Sequence, residues 1–267
     1  MDNRTWWVLV KKKTTPPIPK VLVCRLITDR KVYCVKELID SSMGLNYPNM
    51  DIIHFDNGQR HYLKETLEYF GLNVIKTEHF SKEKDKDGKK ISLPIREMMA
   101  RDMNTARDIV LNKGYDYMFI LESDIVPHED IIQKLLAHNE KIMSAFYWLD
   151  MKRIDVEGRE CWYTPINYYV AKRNNEGKII PNMLFEPDPK FLYYPSRKIE
   201  YAHAGFAATL IHRDVLEKIK FRYDINEVAQ VDAFFHMDSI KAGFIPCLDT
   251  GLIVMHYHMD WSTDFKV

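Results

Sequence analysis

Short apolar runs alternate with amphipathic segments over residues 20–146, and this alternation limits the possible folds more than any other feature of the chain. Runs rich in β-branched and aromatic residues indicate strands, and apolar residues at i, i+3 and i+4 spacing indicate helices between them. Crossover helices make such strands parallel neighbours and cover both faces of the sheet. The sequence therefore predicts an α/β fold with a mostly parallel central sheet. The predicted strands are 20–27, 50–55, 72–77, 117–121 and 142–146.

Four helices are predicted among these strands, at 32–43, 62–70, 94–113 and 129–137. Pro94 suits the first turn of the longest helix, and a glycine follows its end, as is common at helix C-termini. The pattern then changes, because residues 150–200 are rich in Tyr, Pro, Asn and Lys and are expected to be irregular. Regular order is expected to return at 204–212, followed by helices at 214–219 and 231–242 and by strands near 244–248 and 252–255.

The composition narrows the function classes. The 267 residues are enough for one large α/β domain or two small ones. Lys plus Arg and Asp plus Glu both number 38, so the chain lacks the basic excess typical of nucleic-acid-binding proteins. The four cysteines form no CxxC pair, which favours reduced thiols in a cytoplasmic protein. No stretch approaches the roughly 20 apolar residues that span a bilayer, so no transmembrane segment is expected.

Two acids follow the most apolar predicted strand. The sequence FILESD places Glu122 and Asp124 directly after the strand at 117–121, and alternating side chains put both carboxylates on one side of the chain. Converging carboxylates repel each other unless a cation or hydrogen-bond donors compensate them. Mg²⁺ and Mn²⁺ favour carboxylate oxygens together with substrate phosphates. The pattern indicates a divalent-cation site, while surface acids at the start of the next helix remain the alternative.

Several stretches resemble, in the expected order, the GT-A glycosyltransferases, nucleotide-sugar-dependent enzymes with a Rossmann-like sheet; the likeness is closest to family 2. The element at 116–124 is similar to that family's strand with its Asp-x-Asp metal motif, although Glu122 replaces the first Asp. In the last stretch Val231 and Phe234 replace acids, so that only Asp232 and Phe235 match and Asp232 is the one remaining acid. The likeness spans about 20–258. The stretches are IIHFDNG (52–58), MNTAR (103–107), DYMFILESD (116–124), HAGFAATLIHR (203–213) and VDAFFH (231–236).

The resemblance implies a hexosyltransferase that moves a sugar from a UDP- or GDP-sugar to a hydroxyl group of a glycan, a protein or another acceptor. It implies Mn²⁺ or Mg²⁺ as cofactor, held by Asp124, Glu122 and His256, with His258 as a substitute for His256. It implies Asp232 as the catalytic base of an inverting reaction. The nucleotide-binding residues it implies are Asp56, Asn104, Arg107, Glu122 and Ser123, and the acceptor-side residues are Gly205, Trp148 and His203.

The domain division follows from a linker and from this likeness. The proline-rich sequence TTPPIP indicates a stiff linker, so residues 1–19 are expected to be an arm and linker before a single domain at 20–267. Within that domain, 20–149 would be the nucleotide-sugar-binding half and 150–267 the acceptor-side half. The charged run at 81–90 has no apolar anchor; it is either a solvated loop or a lid over a polar substrate.

Two other function classes stay open. A sugar nucleotidyltransferase would share a related sheet, but that class carries a Gly-rich loop after its first strand, whereas Thr28-Asp29-Arg30-Lys31 contains no glycine. A non-catalytic nucleotide-sugar-binding or scaffold protein would keep the fold without turnover. The acids missing on either side of Asp232 keep that second alternative open.

Overall fold

The computed structural model describes residues 17–58, 62–77, 93–147, 151–154, 160–163, 168–173, 175–177, 179–181, 198–224, 226 and 229–257. Its strands are β1 Val21–Ile27, β2 Met50–Asp56, β3 Asn73–Lys76, β4 Tyr117–Leu121, β5 Ile125–Val126, β6 Ile142–Phe146, β7 Met151–Ile154, β8 Glu160–Tyr163, β9 Tyr168–Arg173, β10 Ile179–Pro181, β11 Lys198–Ala204, β12 Ala208–His212, β13 Cys247–Ile253 and β14 Met255–His256. Its α-helices are α1 Val35–Met43, α2 Tyr62–Tyr69, α3 Leu93–Asn112, α4 Ile131–Leu136, α5 Arg213–Lys218 and α6 Val231–Lys241, and a 3₁₀ helix covers Asp29–Cys34.

The large sheet has the order β10-β9-β11-β13-β6-β12-β4-β1-β2-β3 within the described residues. β3, β2, β1 and β4 are parallel, and β6 and β13 run in the same direction. β12 runs antiparallel between β4 and β6. The predicted α/β fold with a mostly parallel sheet and helices on both faces is confirmed, and β12 is an antiparallel insertion that the alternation pattern does not reveal.

Each face of the sheet is covered by its own apolar layer, because successive residues of a buried strand point to opposite sides. In β4, Phe119 packs with α4 on one face, while Met118 and Ile120 pack with α3, α5 and α6 on the other. A smaller cluster joins the end of β1 to α1 and α2. All five residues of β4 are buried, as expected for a central strand covered on both faces.

The second half contains more strands than the sequence pattern indicates. Strands β7 to β10 and the first three residues of β11 lie within 150–200, which was expected to be irregular. They are antiparallel and short, and Pro181 lies in the edge strand β10, where a missing N–H is tolerated. The expected run at 204–212 is divided into β11 and β12, and the two strands expected at 244–255 are one longer strand, β13, followed by β14.

Some predictions concern residues outside the described part of the chain. Residues 1–16, the charged run at 81–90 and His258 lie outside the described residues. In the described part of the chain, no helix combines the length and apolar character needed to cross a bilayer. Cys24, Cys34 and Cys247 are buried free thiols, in agreement with the prediction of reduced cysteines.

Candidate active site

The predicted acids lie at one edge of the sheet, where the parallel strands end. β1, β2 and β4 run in register, so Asp56 at the end of β2 and Glu122 after β4 lie at the carboxyl edge. Asp124 follows in the turn before β5. Ligands of open α/β sheets bind beyond the carboxyl ends of the strands. The structure therefore brings these acids to the edge where such folds place their sites.

His256 reaches the acids through a short two-stranded pairing. β14 pairs antiparallel with β5, which sets His256 opposite Ile125. The backbone N–H of Tyr257 donates to the carbonyl of Asp124 at 2.8 Å. As a result His256 Nε2 lies 3.3 Å from Asp124 Oδ2, although the two residues are far apart in sequence.

The Asp124 carboxylate is buried and its two oxygens differ. Oδ2 accepts from the Lys31 ammonium and, at 3.2 Å, from the Tyr33 hydroxyl, and it also contacts His256. Oδ1 is buried and has no hydrogen-bond partner among the residues that the structure describes. A buried carboxylate oxygen without a donor is unfavourable unless another group occupies that position.

The two acids have opposite pKa shifts. Burial, and then the neighbouring Asp124 carboxylate, raise the pKa of Glu122 above its usual value. Burial opposes ionisation of Asp124 as well, but the hydrogen bond with His256 and the charge of Lys31 outweigh it and hold the pKa of Asp124 well below its usual range. Asp124 is therefore the carboxylate that stays ionised, as a metal ligand must.

Glu122, Asp124 and His256 fit a divalent cation. Their ligand atoms lie within 4.8 Å of one another, in the only such group found within the described residues. Three donors that each lie about 2.1 Å from one ion are roughly 3 to 4 Å apart, so shifts of about an ångström would bring these atoms to an ion. The two carboxylates suit Mn²⁺ or Mg²⁺, and the imidazole favours Mn²⁺, the softer transition-metal ion. The unpartnered Oδ1 of Asp124 gives such an ion an open ligand atom.

Asp232 lies in the first turn of α6 and is partly buried. Burial, and then the charge of Glu122, raise the pKa of its carboxyl to about 7. Its Oδ1 accepts from the backbone N–H of Ala233 at 2.7 Å. A carboxyl with this pKa is able to take up a proton near neutral pH, which is the property that a general base needs.

Two predicted acceptor-side residues lie near α6. His203 in β11 has a tilted ring contact with His236 of α6, with centroids 6.2 Å apart, and burial lowers the pKa of His203 to about 4. Gly205 is buried in the turn between β11 and β12. In the same turn, Ala207 has a positive φ of 35° and accepts the N–H of Glu122 at 2.8 Å. This turn thus connects β11 and β12 to Glu122.

Asp56 lies at the same edge but already has partners in the protein. Its Oδ1 accepts the N–H of Gly58 at 2.8 Å, and its Oδ2 accepts from Lys76 Nζ at 3.0 Å. A nucleotide base that bound Asp56 would have to share or replace these donors. The nucleotide-binding role of Asp56 stays a prediction.

Asn104 and Arg107 hold the backbone of a different segment. The Asn104 side chain donates to the carbonyl of Phe221 at 2.7 Å and accepts its N–H at 3.0 Å. Arg107 Nε donates to the carbonyls of Leu216 and Ile219 at 2.6 and 3.1 Å, and its Nη1 pairs with Asp108. These contacts fasten α3 to the chain between α5 and α6, so the structure does not bring the two side chains to the acid cluster. Their predicted roles in nucleotide binding remain untested.

Ser123 is buried between the two acids. Its carbonyl accepts from Arg25 Nη2 at 3.5 Å and from Cys34 Sγ at 3.6 Å. Trp148 lies outside the described residues, so its predicted contact with the acceptor stays a prediction.

Lys31, Tyr33 and Arg25 surround the acid turn, and sequence reasoning did not single them out. Lys31 and Tyr33 lie in the 3₁₀ helix after β1, and both contact Asp124 Oδ2. The rule that strand C-termini share one edge would have included the segment after β1. Arg25 lies within a strand, and no sequence signal distinguishes it from a misplaced surface residue.

Comparison with known proteins was made for both the sequence and the fold. No protein-family model matches the sequence, and no curated protein matches it either. Among solved structures, a crystal structure of GalNAc-T7 with UDP, GalNAc and Mn²⁺ superposes with a TM-score of 0.58 at 11% sequence identity. The match covers 92% of this chain and 45% of that one, so this chain spans less than half the length of GalNAc-T7.

A second solved structure, that of S. aureus TarS, matches with a TM-score of 0.49 at 13% identity, covering 90% of this chain and 37% of that one. Its TM-score is too low to add support. The sheet order and the GalNAc-T7 superposition together define the fold. The chain has a GT-A-like fold.

Proposed function

We propose that this protein is a metal-dependent glycosyltransferase that moves a sugar from a nucleoside-diphosphate sugar to an acceptor hydroxyl. The observation that carries the proposal is the group of Glu122, Asp124 and His256 at the carboxyl edge of a GT-A-like sheet, with Asp124 Oδ1 unpartnered among the described residues. The structural neighbour GalNAc-T7 was solved with UDP, GalNAc and Mn²⁺, which supports this substrate and cofactor class.

Asp124, His256 and Glu122 would hold Mn²⁺ or Mg²⁺. When bound, the ion supplies positive charge that offsets the charge developing on the nucleoside-diphosphate leaving group. Asp124 carries the ionised carboxylate for this role. Because its pKa is raised, Glu122 is better suited to hydrogen bonding. It would donate a hydrogen bond to, or accept one from, a ribose hydroxyl or a metal-bound water.

Asp232 would act as the general base. Its carboxylate would take the proton of the acceptor hydroxyl as the oxygen attacks the anomeric carbon and the bond to the diphosphate breaks. A base on the acceptor side, opposite the leaving group, gives inversion at that carbon. The pKa of about 7 leaves a substantial ionised fraction at neutral pH.

The two halves of the domain would divide the substrates. The half at 20–149 would bind the nucleotide, with UDP and GDP the first bases to test and Asp56 a contact at the rim of the site. The half at 150–267 would receive a glycan, protein or other hydroxyl acceptor near Gly205, His203 and Trp148.

Thermal stability with nucleotides tests the metal–diphosphate site. UDP, GDP, CDP and dTDP would each be added with Mn²⁺ and with chelator. A ligand at about 100 times its Kd adds roughly 2.7 kcal/mol to the stability, which raises the midpoint by several degrees for a domain of this size. We expect a rise with one nucleotide that needs Mn²⁺ and that Asp124→Asn abolishes.

The matched control is Asp214→Asn, an acid beside Lys141 and His212 at the end of β12. It should keep the nucleotide response. No rise with any nucleotide, or a rise that persists in Asp124→Asn, would contradict the proposal. Release of nucleoside diphosphate from the matching sugar donor, measured by chromatography, separates a transferase from a protein that binds the nucleotide without turnover.

A further inference from the structure

Lys31 lies where the divalent cation would bind. Its ammonium contacts Asp124 Oδ2, the same oxygen that Tyr33 and His256 contact. The Asp124 side chain is fully buried, whereas the Lys31 side chain is 17% exposed. Without a metal ion, the protein therefore supplies its own cation to the buried acids.

A metal ion bound beside Lys31 would change the electrostatic energy of the pair of Lys31 and Asp124. A monovalent ammonium and a divalent ion that share one carboxylate repel each other, and repulsion at a few ångströms is large in a poorly hydrated site. The open Oδ1 of Asp124 gives the ion a first point of attachment. A diphosphate bound on the far side of the ion would offer Lys31 new anionic oxygens, since phosphates are good partners for ammonium groups.

We propose that Lys31 exchanges partners during the reaction cycle: it pairs with Asp124 in the empty site and binds the donor diphosphate once the metal ion occupies Asp124. The inference rests on the proposed function and adds a residue to it. Lys31 is suited to the exchange because it follows β1 directly and its long, flexible side chain is partly exposed. Competition with Lys31 would also weaken metal binding when no sugar donor is present. The metal ion and the nucleotide would therefore bind together.

Direct titration with Mn²⁺, followed by electron paramagnetic resonance of the free ion, tests the first half. The full chain would be compared with Lys31→Met and with the control Lys36→Met. This control removes an exposed ammonium that pairs with Asp40 and lies five residues from Lys31. Without nucleotide, we expect Lys31→Met to bind Mn²⁺ at least about tenfold more tightly than the wild type, because the competing charge is gone. Lys36→Met should bind as the wild type does.

Titration with UDP and with GDP, each at saturating Mn²⁺, tests the second half. For whichever nucleotide binds, we expect Lys31→Met to lower the affinity at least about tenfold, since a charge-assisted contact with phosphate is lost. Lys31→Gln, which keeps a hydrogen-bond donor without the charge, should show the same two opposite changes. Its folding would be checked by circular dichroism.

The outcomes separate the two proposals. If Mn²⁺-dependent nucleotide binding persists but Lys31→Met binds Mn²⁺ no more tightly than the wild type, the exchange is wrong and the proposed function stands. If both changes have the same sign, Lys31 is a positioning residue or a simple ligand contact and the exchange is again wrong. If neither protein binds Mn²⁺ and no nucleotide binds, both proposals fail.

Discussion

At the scale of single residues, Asp232 makes the most direct prediction about the chemistry. Burial and Glu122 raise the pKa of Asp232 to about 7. A base must be ionised to accept a proton, so kcat/KM should rise with pH along an ascending limb whose midpoint lies near pH 7. Asp232→Asn should remove this limb and lower kcat by at least about 100-fold. A variant that keeps the limb would assign the base to another residue.

The raised pKa of Asp232 also means that its ionised form, which the reaction needs, destabilises the fold. The folded-state pKa of Asp232 is above its unfolded value, so the native state binds more protons and stability falls as pH rises from about 4 to about 7. At pH 8, Asp232→Asn should therefore raise the free energy of unfolding by more than about 1 kcal/mol, and the gain should vanish near pH 4. Urea denaturation at both pH values measures it.

Asp238, on the same helix, is the control for that measurement. A hydrogen bond from Arg222 lowers the pKa of Asp238 despite partial burial, so its ionised form stabilises the fold. Asp238→Asn should destabilise the protein at pH 8, and the loss should shrink as the pH falls below the usual pKa of Asp. Changes of the same sign in both variants would contradict this account of Asp232.

At the scale of elements, Arg25 fixes the turn that carries the acids. It is fully buried in β1. Its Nη2 donates to the carbonyls of Glu122 and Ile125 at 3.2 and 3.0 Å, and its Nη1 donates to Ser41 and Ser42 of α1. Burial lowers the pKa of Arg25 to about 9, which leaves the guanidinium charged at neutral pH. One side chain thus joins a strand, a helix and the acid turn.

Removing this guanidinium should destabilise the protein. Arg25→Met leaves buried carbonyls and hydroxyls without donors, so we expect a loss of about 3 kcal/mol in the free energy of unfolding. Arg25→Lys keeps the charge but lacks the planar guanidinium that bonds α1 and the acid turn at the same time. It should therefore recover only part of the stability that Arg25→Met loses. Urea denaturation measures both, with Lys36→Met as control. A loss below about 0.5 kcal/mol for Arg25→Met would show that the acid turn keeps its conformation without Arg25.

At the scale of the whole molecule, the two apolar layers make the centre of the sheet the most stable region. β4 is buried throughout and lies between β1 and β12, whereas β3 is an edge strand whose first residue is exposed. Exchange in a central strand needs global opening, while an edge strand opens locally. Amides of β4 should exchange at least about 100-fold more slowly than those of β3. Equal rates in native-state hydrogen exchange would contradict this strand order.

The fold class and the chemistry of the central acid follow from local sequence. Hydrophobic periodicity is a property of neighbouring residues, so the strands at 20–27, 50–55 and 117–121 were predicted with ends close to those observed. The position of Asp124 after a fully apolar strand was enough to indicate a cation site at the sheet edge.

Only the tertiary structure decided which distant groups meet that acid. His256 reaches Asp124 through the β5–β14 pairing, and Lys31 reaches it from the end of β1, contacts that depend on strand order rather than on any local pattern. Asn104 matched a motif, yet its amide is used by the backbone of Phe221. The raised pKa of Asp232 has the same origin, since its burial and the nearby charge of Glu122 exist only once α6 has packed beside β11. Sequence specifies the chemical groups, and long-range packing determines their partners and charges.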